Sequence, residues 1–258
     1  MTDAALKVVI TGASSGIGKA LAHQYAKRGA TLALVARRGE LLTQLAGSLA
    51  ARSYAYVADV RDAGALAAVA EDFIGRVGCP DVVIANAGVS AGTLTGKPQD
   101  NPVFEEILAI NVTGMMLTFQ AFMEPMKARK LGTLAGIASI AGFRGLPGAA
   151  AYSASKAAVI SYLESLRVEL KGSGVSVVTI CPGYIATPLT GSNPYRMPFL
   201  MDADVAAMKI AGAITQRKSF YVLPWQMAVV GWFVRRLPRP LFDSLFSRAP
   251  RKLRRTMT

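Results

Sequence analysis

The segment Thr11 to Gly18 (TGASSGIG) constrains the fold of this chain more than any other, because of what stands on either side of it. Leu6 to Ile10 is a short apolar run that reads as a buried strand. Lys19 to Lys27 (KALAHQYAK) has the spacing of an amphipathic helix ended by Gly29. Strand, glycine turn and helix in that order is the context in which a dinucleotide is held. Gly12 permits the tight turn, Gly16 lets the backbone approach a pyrophosphate, and Gly18 allows the helix to pack closely on the strand. Ser14, Ser15 and Ile17 complete the loop. The helix then presents its free N–H groups and positive dipole end to the anion.

Further apolar runs recur at Thr31–Val35, Tyr54–Val57, Asp81–Ala85, Thr133–Ala138, Val175–Ile180 and Phe220–Leu223. Helical patterns lie between them at Glu40–Ala50, Asp62–Arg76, Phe104–Ala128, Ala150–Lys171 and Asp204–Gln216. This alternation predicts an α/β fold: a Rossmann-like, doubly wound, mostly parallel seven-stranded sheet with helices on both faces. Ligands in such sheets bind outside the carboxyl ends of the strands. Distinctive residues follow six of the seven runs: Gly12, Arg37 with Arg38, Asp59, Asn86, Ser139, and Pro182 with Gly183. They mark a binding crevice.

At 258 residues one domain is the natural reading, and 52% hydrophobic content with 17% charge excludes general disorder. The single histidine, His23, excludes a His-based triad and a His-rich metal site. Cys79 and Cys181 are too far apart for metal or redox spacing, so no metal is expected. Unpaired cysteines suit a reducing compartment, and a strand starting near Leu6 leaves no room for a leader. We therefore expect a cytoplasmic protein. The net charge of +13 is uneven: eight basic residues stand between Arg235 and Thr258 against one acid, Asp243, a local balance of +7. No nucleic-acid reader motif accompanies that tail, and no nucleic-acid partner is expected.

With these features the sequence resembles the short-chain dehydrogenase/reductase family, in its branch of about 250 residues. TGASSGIG matches the family's TGxxxGxG, Asn86-Ala87-Gly88 its NAG, and Asn111 its helix asparagine. Ser139 stands thirteen residues before Tyr152, Tyr152 to Lys156 (YSASK) matches YxxxK, and Pro182 to Thr187 (PGYIAT) the PG motif. The resemblance implies hydride transfer between a nicotinamide cofactor and a carbonyl or alcohol, in a homodimer or homotetramer. Tyr152 is expected to be the general acid/base and Ser139 to hydrogen-bond the substrate oxygen. By resemblance Lys156 binds the nicotinamide ribose and Asn111 holds a water of the proton relay. Asp59 and Val60 contact the adenine, and Pro182, Gly183, Ile185 and Thr187 belong to the cofactor site.

Tyr152 and Lys156 are four apart on a helix, hence on one face. An ammonium about 4 Å from a phenol, at an effective dielectric near 20, lowers the phenol by about three pKa units, toward neutrality. We expect Lys156 to act on Tyr152 in this way. The second strand ends in Ala36-Arg37-Arg38, without the acid that commonly bonds both ribose hydroxyls of NAD. Two guanidinium groups suit a 2′-phosphate, so NADP(H) is favoured over NAD(H); the alternative is two solvated arginines.

Residues 187–202 form a Gly/Pro-broken loop carrying Leu189, Tyr195, Met197, Phe199, Leu200 and Met201. By family position it closes over the substrate. Its apolar groups either select a lipophilic carbonyl or alcohol or merely pack the lid, with Arg196 and Arg144 as candidate carboxylate clamps. Residues 225–258 form an apolar, then basic, extension. Trp225 to Val234 is too short to span a bilayer. Either it gives peripheral contact with an anionic membrane, or Trp225, Val229, Trp232 and Phe233 cover the substrate pocket or a neighbouring subunit. We favour the second, with the tail beyond Arg235 peripheral to the nicotinamide. Two function classes follow: an NADP(H)-dependent oxidoreductase, favoured by the complete catalytic set, and a non-catalytic dinucleotide sensor.

Overall fold

The computed structural model describes residues 5–191 and 193–255. Seven strands form one sheet: β1 (Lys7–Thr11), β2 (Thr31–Ala36), β3 (Ser53–Val57), β4 (Val82–Ala85), β5 (Gly132–Ile137), β6 (Val175–Pro182) and β7 (Phe220–Leu223). Their order is β3-β2-β1-β4-β5-β6-β7, with every neighbouring pair parallel. The chain winds outward from β1 to β3, returns to lay β4 against β1, and winds outward the other way. That reversal opens a crevice at the carboxyl ends of β1 and β4.

Both faces of the sheet are covered, which is why its central strands read as unbroken apolar runs. Val8 and Ile10 of β1 turn to one face. There they join Leu21 and Tyr25 of α1 (Gly16–Ala26), Leu42 of α2 (Gly39–Ser48) and Ile210 and Ile214 of α8 (Ala203–Thr215). Val9 turns to the other face. It joins Phe73 of α3 (Ala63–Val77), Phe119 and Phe122 of α5 (Gly114–Arg129) and Leu163 and Leu166 of α6 (Ala150–Glu169).

The helix expected over Phe104–Ala128 is not continuous. It consists of α4 (Asn101–Leu108), a π turn at Ala109–Thr113, and α5. The π turn carries Asn111, which is fully buried. The stretch Pro98–Arg129 is long and apolar enough to cross a membrane by length and composition. In this fold Val103, Ile107, Phe119, Phe122 and Met126 from it are buried.

The C-terminal extension departs most from expectation. It forms α9 (Trp225–Arg236) and α10 (Arg239–Phe246), then turns back to the body. Helix α9 packs through Met227 and Gly231, while Trp225, Val229, Trp232 and Phe233 point outward, Trp225 being 70% exposed. The four side chains expected to cover either the pocket or a neighbouring subunit therefore do not cover the pocket. The opposite face of the helix does, because Gly231 lets it lie on the ring of Phe143. The tail, expected to be peripheral to the nicotinamide, is docked on the body. Leu253 O accepts a hydrogen bond from Gly92 N at 2.8 Å, Arg254 pairs with the buried Asp100 at 2.7 Å, and Arg255 pairs with Glu106. Ser192 of the lid and residues 256–258 of the extension lie outside the described residues.

Arg254 also holds the Asp100 carboxyl below the usual carboxylate range. We expect Arg254→Ala to leave that carboxylate facing a nearly dry site, release the tail and lower Tm by a few degrees. Trypsin should then cut at Arg248 and Arg251 far faster than in the parent protein; unchanged cutting would contradict this docking.

Candidate active site

The loop after β1 turns at Gly12 with φ of +66°, and a Cβ at Gly18 would fall 2.3 Å from Gly12 O. Only glycine at position 18 lets α1 start hard against the strand. Thr11 and Asn86 lock this loop to the end of β4: Asn86 N donates to Thr11 Oγ1 at 3.2 Å, and Asn86 Nδ2 donates to Thr11 O at 3.0 Å and to Gly12 O at 3.3 Å. The Asn86 amide thus braces the turn with hydrogen bonds inside the protein.

Around the loop runs a cavity of about 430 Å³. It is lined by Gly12, Ser14, Ser15, Gly16, Ile17, Ala36, Arg37, Arg38, Asp59, Val60, Asn86, Ala87, Gly88, Ser139, Tyr152, Lys156, Pro182, Gly183, Ile185 and Thr187, among others. At its far end Arg38 Nη2 donates to Ser14 Oγ at 2.9 Å and Ser15 Oγ at 2.7 Å. Asp59, the one acid in this lining, is paired with Arg61 at 2.6 Å and Arg37 at 3.7 Å. The Arg61 hydrogen bonds hold its carboxyl below the usual range.

Gly18 and Asn111 are the expected site residues that do not line the cavity. Asn111 Oδ1 accepts from Val89 N at 2.8 Å, and Nδ2 donates to Val89 O and to Ser155 Oγ, both at 3.0 Å. Its side chain fixes the segment after β4 and helix α6.

A second cavity, of about 310 Å³, meets the first at Ser139, Tyr152, Gly183, Leu189 and Thr190. Its walls come from the loop after Ser139, from Leu189, Thr190, Asn193, Tyr195 and Pro198 of the lid, from Met227, Val230 and Val234 of α9, and from Phe246 and Lys252 of the tail. The lid begins with the short helix α7 (Pro188–Gly191) and rejoins the body where Ala186 N donates to Met201 O at 2.8 Å. Of its six apolar groups, Leu189 and Tyr195 face the cavity, Met201 packs on the core, and Phe199 and Leu200 are exposed. Of the two arginines expected as candidate clamps, Arg196 is exposed, and Arg144 lines the cavity and caps the end of α9. Arg144 Nη1 donates to Leu237 O at 3.0 Å and its guanidinium lies 4.1 Å from the Phe242 ring centre. Sequence spacing gave no warning of Lys252 or Phe246, which reach the cavity by tertiary folding alone.

Ser139 begins the turn after β5, its Oγ accepting from Ala141 N at 3.1 Å. Lys156 is 5% exposed and donates from Nζ to Ile137 O at 2.8 Å. Burial pushes it down to about 8, and burial pushes the neighbouring Cys181 thiol up to about 12, so no counter-charge is provided. The Lys156 ammonium lies 5.8 Å from the Tyr152 ring centre. The expected lowering of the phenol is not found: burial raises it above its ordinary value, and Ser139 only partly offsets that. The ammonium is turned toward the β5 carbonyl instead.

The short chain dehydrogenase family pattern matches residues 6–196. Over 249 residues the chain is 40% identical to an uncharacterized oxidoreductase of Myxococcus xanthus, covering 95% of this chain and 96% of that one. It is 35% identical over 196 residues to the probable oxidoreductase EphD of Mycobacterium tuberculosis, covering 74% of this chain but 33% of that longer protein. A short-chain dehydrogenase structure from Streptomyces avermitilis superposes with a TM-score of 0.80 at 26% identity, covering 94% of each chain. These relatives do not favour the non-catalytic sensor. With a family match across most of its length and a doubly wound parallel sheet behind its paired cavities, this chain belongs to the short-chain dehydrogenases and is an oxidoreductase.

Proposed function

We propose that the protein reduces a carbonyl with NADPH, binding the cofactor in the larger cavity and a lipophilic carbonyl compound in the smaller one. The observation that carries this reading is that the two cavities meet at Ser139 and Tyr152. A hydride donor in one and an acceptor in the other would react in front of both hydroxyls. The pyrophosphate would lie on the N-terminus of α1, the adenosine against Asp59 and Val60, and the nicotinamide near Gly183 and Ile185. The cofactor supplies the hydride; the chain supplies the proton and the alignment.

Tyr152 donates the proton to the alkoxide oxygen while Ser139 hydrogen-bonds the same atom. A phenol held above its ordinary value is protonated at neutral pH, which suits reduction. Lys156 bonds the nicotinamide ribose and maintains positive potential behind the phenol. Asn111 acts as a positioning residue for α6.

Arg37, Arg38, Ser14 and Ser15 form a polar cup at the adenosine end, with Asp59 already neutralised by Arg61 and Arg37. That cup fits a 2′-phosphate. NADPH should bind at least tenfold tighter than NADH, as one charge-assisted contact is worth about 1.5–3 kcal/mol. Arg38→Ala should erase most of the difference by weakening NADPH alone. Titration of both cofactors against protein fluorescence decides it, and equal affinities in the parent protein would refute the assignment.

Tyr152→Phe should keep NADPH binding and lose nearly all turnover, measured on a panel of ketones and aldehydes. Alcohol oxidation by the parent protein should climb with pH, since the base form of a raised phenol becomes populated only in alkali. Substantial turnover in Tyr152→Phe would assign the proton to another group.

Lys156 should cost stability. Below about 8 it is charged in both states and the folded state bears the burial penalty. From there to the ordinary lysine value only the unfolded chain holds the proton, so stability rises with pH across that window. Lys156→Met should therefore be more stable at neutral pH by about 2–3 kcal/mol, converging with the parent protein in alkali, yet bind NADPH poorly. Denaturant unfolding at both pH values is the measurement; a destabilised variant at neutral pH would mean that the ammonium is well paired.

A further inference from the structure

The smaller cavity is apolar on most of its surface, through Ile140, Phe143, Leu146, Met227, Val230 and Val234. Three polar groups in its lining stand without protein partners. Lys252 makes no hydrogen bond or ion pair among the described residues, and its ammonium lies 5.8 Å from the Tyr152 ring centre. Ser90 Oγ and Asn193 Oδ1 are both buried and unbonded. Buried polar atoms are normally satisfied, so two open buried groups lining the same cavity as a half-buried, unpaired ammonium call for a polar ligand.

The tail is built to bring Lys252 there. Residues 251–255 are held on both sides: Gly92 N bonds Leu253 O, and Arg254 reaches the buried Asp100, which also accepts from Leu94 N at 2.8 Å. A Cβ at Gly92 would fall 2.3 Å from Lys252 O, so the segment lies directly on the backbone that follows β4. Arg251, one residue before, packs on Gly148. Lys252 is therefore fixed at its backbone and free at its ammonium. Arg144, the other cation in the lining, is occupied by the α9 carbonyls and the Phe242 ring.

We infer that Lys252, with Ser90, forms a carboxylate-binding end of the substrate cavity, and that the substrate is a keto acid with an otherwise apolar chain. The ammonium and the Ser90 hydroxyl donate to the carboxylate, and Asn193 accepts from a donor group of the same ligand or from a water bound with it. Ser139 and Tyr152 take the ketone. The apolar wall takes the remaining chain. An ammonium in such low-dielectric surroundings gains more from a carboxylate than an exposed one does. Asp100 and Arg254 serve as positioning residues for it.

This inference rests on the reading of Ser139 and Tyr152 as the reacting end, so two measurements separate the two claims. In the first, a medium-chain γ-keto acid and its methyl ester are reduced with NADPH. The parent protein should prefer the acid by at least tenfold in kcat/KM, Lys252→Met should lower that ratio at least tenfold, mainly through KM, and Lys252→Arg should retain most of it. The second needs no turnover. Octanoate and octanol are titrated into the protein–NADPH complex, with cofactor fluorescence as readout. Octanoate should bind at least tenfold tighter to the parent protein, and the advantage should vanish in Lys252→Met, whose NADPH affinity reports that it is folded. Parent-protein preference for the ester, or equal binding of octanoate and octanol, overturns the carboxylate site. Failure to reduce any ketone while octanoate binding follows Lys252 overturns the reductase reading and leaves the site standing.

Discussion

Parallel strand pairing governs this molecule. With all seven strands running one way, every carboxyl end faces one edge, and each return crossing must be long enough to cover a face with helix. The two demands separate the chain's duties. Buried faces take Val, Ile and Leu, while one edge gathers the glycine loop, the arginines after β2, Asp59 after β3, Asn86 after β4 and Ser139 after β5. The winding reversal at β1 and β4 leaves a gap there, and Asn86 bridges it by bonding the carbonyls of Thr11 and Gly12. The same edge that must stay open is thereby kept rigid where it holds a phosphate.

The chemistry is set by burial more than by pairwise attraction. Lys156 sits in the interior with one carbonyl partner and a neutral thiol nearby, so its proton is held loosely. Tyr152 is pushed in the opposite sense, toward keeping its proton. The two shifts leave an acid that stays loaded and a cation close to its titration point. A ribose hydroxyl, anionic phosphates and a charged nicotinamide would each alter this balance, so in the proposed reaction the proton transfer would be tuned by what occupies the larger cavity.

Elements that depend on local pattern were readable in the sequence. The runs at Thr31–Val35 and Phe220–Leu223 became strands almost residue for residue, and Asp62 became the cap of α3, its carboxylate accepting from Ala65 N. The glycine loop, Arg37, Arg38, Asp59, Asn86 and Ser139 were likewise identifiable because each follows a strand, and Tyr152 and Lys156 because they stand four apart on one helix. Long-range contacts were not. The π turn changes helix phase without changing composition, so Asn111 was placed on a regular helix. Arg144 has the composition of a substrate clamp, yet three carbonyls some ninety residues away claim it. Lys252 was one basic residue in a basic tail; Asp100, which pairs with the nearby Arg254, lies 154 positions from it, and no spacing rule connects them. Which face of α9 packs on the body was not legible for a related reason. Its two faces are both apolar, and only the contact between Gly231 and Phe143 decides which one packs.

The family pattern ends at residue 196, whereas the far wall of the smaller cavity is built from α9, Phe246 at the end of α10, and Lys252 of the returning segment 251–255. Part of the wall that would choose what reacts therefore comes from beyond the stretch that carries the reacting groups, and the two cavities meet at Ser139, Tyr152, Gly183, Leu189 and Thr190. On the proposed reading, that contribution would make the last thirty or so residues an exchangeable part of the substrate site. Grafting that stretch from one relative onto another would change which compounds are accepted and leave hydride and proton transfer to the untouched body, provided that the acceptor keeps a glycine at position 92 and an acid at position 100 to seat it.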